Sequence, residues 1–105
     1  MAVARAPEFA QRIRDHNETF TRFLSDPVFD ADLAADEIEK AKMTLQSLVR
    51  MLPRPEKKSV KGVLKTIRGY ENRRPSQGEL RILYRRFIGV EEIIKDVQET
   101  KRWQR

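Results

Sequence analysis

Cysteine is absent from this sequence, which removes disulfides and thiolate metal sites and leaves a reducing compartment open to it. There is one histidine, too few for a zinc finger or for a paired acid–base site. No apolar run approaches the ~18 residues of a membrane span, and the N-terminal "MAVARAPEFAQRIRD" has no apolar segment of the kind a secretory signal carries. The four glycines build no phosphate-cradling loop, and neither GxxxxGK[ST] nor GxSxG occurs. These absences argue against an enzyme, a cofactor, a metal site and a membrane partner. The expectation is a soluble, cytoplasmic, non-enzymatic protein.

What the sequence does have is positive charge, and it is unevenly placed. The chain carries a formal +6, but residues 1–50 hold seven Lys or Arg against nine Asp or Glu, a balance of −2. Residues 51–105 hold fifteen against seven, a balance of +8. No acid at all occurs in residues 57–70. A pI near 10.0 with clustered cations is the electrostatic footprint of a nucleic-acid binder, and also of a protein that docks on acidic surfaces.

Apolar spacing places that charge on helices. Phe9, Ile13, Phe20, Phe23 and Leu24 recur at steps of 3, 4 or their sums, predicting a helix over about 6–24. "SDPVFDAD" breaks it, with Ser25, Asp26 and Asp30 as capping candidates. Ala34, Ile38, Ala41, Leu45, Leu48 and Leu52 predict a second helix over about 31–52, ended by "PRP". Val60, Val63, Leu64 and Ile67 predict a third over about 56–69, with Gly69 as a left-handed cap. "SQGE" at 76–79 has the form of a capping box and opens a fourth, about 76–101, on Leu80, Leu83, Phe87, Val90, Ile94 and Val97. No stretch alternates as a strand would. The fold expected over residues 1–105 is an all-α, four-helix bundle-like single domain with a long C-terminal helix.

On the third helix Lys58, Lys61, Lys65 and Arg68 follow steps of 3, 4 and 3, so they share one face away from the apolar stripe, rising roughly 5 Å from one to the next. Like charges at such spacing repel, and a row without acids asks for an anionic partner. Arg54, Lys57, Arg73 and Arg74 flank the row, Arg81 and Arg85 extend it onto the fourth helix, and Tyr70 could stack on a base or simply pack locally. The expected partner is nucleic acid, DNA or RNA, met through its phosphates within a nucleoprotein assembly; no zinc-finger, RNP or KH signature supports base readout. An acidic protein surface, as for an inhibitor or immunity-type factor, is the alternative, and a merely solvated face is the bland reading of the same residues.

A second line on the fourth helix, Ile82, Arg86, Gly89 and Ile93, runs at steps of 4, 3 and 4. Two lines on one helix mean two neighbours: a helix of the same bundle, or a partner chain in a homo-oligomer, with Trp103 in the "KRWQR" tail as either a further contact or a frayed end. His16 falls on the apolar side of the first helix and reads as a boundary residue held by a hydrogen bond. Asp30, Asp32, Asp36, Glu37 and Glu39 read as serving a helix N-terminus, not a cation.

Overall fold

A computed structural model describes residues 6–103 of the chain. Four α-helices follow in order, α1 (Ala6–Ser25), α2 (Ala31–Val49), α3 (Arg54–Arg68) and α4 (Gln77–Thr100), and no strand occurs among the described residues. Each helix packs on its two ring neighbours, α1 against α2 and α4, and α3 against the same two. Short connections force antiparallel neighbours, so this is an up-down-up-down bundle. The expected all-α architecture is what is found.

Local chemistry explains the boundaries. The Asp30 carboxylate accepts the backbone N–H groups of Asp32 and Leu33 at 3.0 and 3.1 Å and starts α2. At α4 both halves of the capping box are made: Glu79 N–H donates to the Ser76 hydroxyl at 3.1 Å, and Ser76 N–H donates to the Glu79 carboxylate at 2.9 Å. Helix α2 stops at Val49, three residues earlier than its apolar stripe suggests, because residues 50–53 leave the helix in a tight turn with Met51, Leu52 and Pro53 still buried. Leu52 thus belongs to the core without belonging to the helix. Helix α3 begins at Arg54, two residues earlier than expected, since a proline within the first turn gives up no intrahelical bond.

Gly69 caps α3 with φ −66°, an ordinary right-handed conformation, and the left-handed residue of this linker is Asn72 at φ 61°. The turn is therefore made three residues later than the glycine suggests, and Asn is one of the few side chains that tolerates that conformation. Gly69 is still confined: a Cβ there would lie 3.2 Å from the Thr66 carbonyl oxygen.

The core runs the length of the bundle. Phe20 and Phe87, both fully buried, meet edge to face at 5.4 Å between α1 and α4, a favoured aromatic geometry. Polar ties fix the rotation of α1. His16, buried, donates from Nδ1 to the Glu37 carboxylate at 2.5 Å and sets Nε2 2.9 Å from the Thr44 hydroxyl, both on α2. The adjacent Asn17 donates to Glu91 at 2.8 Å and to the Phe87 carbonyl at 3.3 Å, on α4. One pair of neighbouring residues therefore holds α1 to both its partners, although the buried Asn17 Oδ1 itself has no hydrogen-bond partner among the described residues.

Candidate nucleic-acid interface

The rotation of α3 decides which of its residues reach solvent. Val60, Val63, Leu64 and Ile67 are buried, and Glu56, nearly buried, pairs at 2.5 Å with Arg102 beyond the end of α4. That ion pair identifies the flank of α3 turned to α4. At 100° per residue, the solvent half then divides lengthwise in two. The part on the α2 side carries Arg54, Lys58, Lys61, Lys65 and Arg68, with Lys57 half-buried at its edge; the part on the α4 side carries Pro55, Ser59, Gly62 and Gly69, with Thr66 half-buried at its edge. Cations and small residues lie side by side along the same helix.

All four members of the expected row, Lys58, Lys61, Lys65 and Arg68, are exposed, and none makes an ion pair or side-chain hydrogen bond among the described residues. The one acid of α3, Glu56, is turned inward and engaged by Arg102. From Arg54 to Arg68 the cations cover about 21 Å, one per ~4 Å of helix. Arg50, at the C-cap of α2, is also exposed and unpaired beside the start of this row. It lies only four positions before Arg54 in the sequence, across the proline break.

The flanking residues sort into two groups. Arg81 and Arg85 are exposed on α4 without partners among the described residues. Arg73, by contrast, is used within the chain. It donates from Nε to the Gly69 carbonyl at 2.9 Å, pairs with Glu79 at 2.8 Å, and lies over the Tyr70 ring at 4.5 Å. Tyr70 is itself half-buried against the core. Arg74 pairs with Asp32 at 2.7 Å, both side chains being well exposed, an arrangement of little energetic weight that another anion could take over.

Arg73 also shapes the acidity of Glu79. The guanidinium hydrogen bond first, and the Ser76 backbone N–H second, hold this carboxyl at about 2 against an ordinary 4.5. A depressed acid contributes stability above its unfolded-state pKa and loses it as pH falls toward the folded value. Between about pH 4.5 and 2 the native chain should therefore lose more stability than Glu79→Gln does, which parallel thermal melts across that range would show.

The second line on α4 does not form one continuous surface. Asn17 binds the Glu91 flank of α4 to α1, which leaves Ile82, Arg86, Gly89 and Ile93 on the flank nearer α3. Ile93 is half-buried and packs on the core, Arg86 and Gly89 are exposed, and Ile82 is 57% exposed. Trp103 is half-buried against the core.

Gly62 and Gly89 both lie mid-helix, and an added Cβ at either would meet nothing within 4 Å. A glycine in a helix interior costs roughly 0.5 to 1 kcal/mol relative to alanine, and no contact within the described residues offsets it here. Gly62→Ala should accordingly raise the unfolding free energy by about that amount in a denaturant titration, whereas Gly69→Ala, against the Thr66 carbonyl, should not.

The described residues hold no cluster of three or more His, Cys, Asp or Glu able to bind a metal ion, and no helix among them is long and apolar enough to cross a membrane. No protein-family model, curated protein or solved structure matches the chain. The functional reading therefore rests on the chain's own surface.

Proposed function

We propose that the protein is a non-enzymatic nucleic-acid-binding subunit that contacts the phosphate backbone through the exposed cations of α3. The observation that carries the proposal is the row Lys58, Lys61, Lys65 and Arg68, exposed and without an acid partner among the described residues. Surfaces that need only solubility mix the two signs, and the first half of this same chain does so. Arg50, Arg54 and Lys57 strengthen the N-terminal end of the row, and Arg81 and Arg85 add cations on α4. Phosphate contacts of this kind fix position without reading sequence.

A fluorescence anisotropy titration of the intact chain against labelled oligonucleotides at two salt concentrations tests the proposal. With about five phosphates neutralised, log K should fall against log salt with a slope near −3.5 for a single strand or −4.5 for a duplex. Failure to bind either at 0.05 M salt would transfer the same cations to the second reading, an acidic protein partner. That reading is favoured by one observation, the apolar Ile82 standing 57% exposed on the helix that carries Arg81 and Arg85, since protein interfaces anchor on apolar side chains that nucleic-acid backbones do not need.

A further inference from the structure

We infer that the nucleic acid recognised by the α3 face is a double helix, not a single strand. The inference rests on the nucleic-acid reading above and names the form of the ligand. It starts from the aromatic residues. The sequence has eight, and all eight lie in the described part of the chain. Three phenylalanines are buried, and the other five rings are half-buried and packed against the core. Not one ring stands exposed. Tyr70, the aromatic nearest in sequence to the cation row of α3, has one face covered by the Arg73 guanidinium at 4.5 Å, and that guanidinium is held in place by Glu79 and the Gly69 carbonyl.

Magnitudes decide between the two forms. Single-strand binders gain about 5- to 150-fold in affinity per base stacked on an aromatic side chain. This surface offers no platform for even one such base. What remains is the phosphate term, about 0.9 per contact on duplex and 0.7 on a single strand in the logarithmic salt dependence. For about five contacts at 0.15 M salt, that difference alone favours the duplex roughly sevenfold. A single stacked base would be enough to cancel it, and none is available. The duplex also brings its phosphates already ordered, whereas a strand without stacking must be ordered against the row at an entropic cost.

The relief of α3 agrees with a stiff ligand. Beside the cations runs the low sector of Pro55, Ser59, Gly62, Thr66 and Gly69, with nothing within 4 Å above Gly62. A rod can lie along this flank while lysine and arginine side chains reach its phosphates from one side. No pocket for an everted base is required.

The test is a pair of anisotropy titrations at 0.15 M salt, using a labelled 20-nucleotide strand that cannot pair with itself and the duplex made from it, in DNA and RNA versions. A duplex bound about fivefold or more tighter than its strand, in either chemistry, is the expected result. A smaller preference, or tighter binding of the strand in both, overturns the duplex inference and leaves the nucleic-acid reading standing. Absence of binding to all four probes, repeated at 0.05 M, overturns the nucleic-acid reading and the duplex inference together.

Discussion

Phe87→Ala should destabilise the protein by about 3 to 5 kcal/mol, the range for deleting a fully buried phenylalanine. Phe87 has no accessible surface, and its ring is the edge-to-face partner of Phe20 across the α1–α4 contact, the most extensive helix pairing in the bundle. The backbone carbonyl of the same residue accepts a bond from Asn17, so a collapse of the cavity would also disturb the tie that orients α1. A chain of this size has a total stability of about 5 to 15 kcal/mol. The variant should thus unfold at a much lower denaturant concentration, with an unchanged m-value if the transition stays two-state. A loss below 1 kcal/mol would mean that the α1–α4 contact is not packed as described.

The double variant Lys61→Ala, Lys65→Ala should show the opposite profile, intact folding with impaired binding. Both side chains are exposed and unpartnered among the described residues, and removing exposed charges from a repulsive row changes stability by no more than about 0.5 kcal/mol, in either direction. Each lost phosphate contact should make the salt slope about one unit shallower. On duplex at 0.15 M salt the two together should cost on the order of 30-fold in affinity, from about 0.9 × log 0.15 per contact. All sequences should weaken alike, because phosphates carry no sequence information. A folded double variant that binds as tightly as the parent, with the same salt slope, would remove α3 as the site.

The two variants separate the two layers of the molecule. The first tests what the apolar stripes do, the second what lies opposite them, and on α3 both layers come from the same fifteen residues.

The helices were legible in the sequence because apolar spacing, caps and proline breaks all act locally. The Asp30 cap, the Ser76–Glu79 box and the core stripe of α4 need only a few consecutive residues to be recognised. The same holds for the exposure of Lys58, Lys61, Lys65 and Arg68, since on an amphipathic helix the face opposite Val60, Leu64 and Ile67 must point outward. Where local signals competed, reading was less complete. Gly69 looked like the left-handed cap, but Asn72 takes that conformation; Leu52 continued a helical stripe, but the prolines that follow had already forced the chain into a turn.

Only the tertiary structure decided which cations are engaged within the fold. Arg73 and Arg68 are equivalent in composition, yet the α3–α4 turn folds Arg73 onto Tyr70, Gly69 and Glu79 and leaves Arg68 in solvent. The inward turn of Glu56 depends on Arg102, forty-six positions away, and the bonds of His16 and Asn17 reach α2 and α4 across 21 to 74 positions. Periodicity assigns a residue to a face of its own helix, but it carries no information about which residues of another helix that face will meet. Charge pairing is short-ranged in water, so the surface left over for a partner is fixed only when the helices have been brought together.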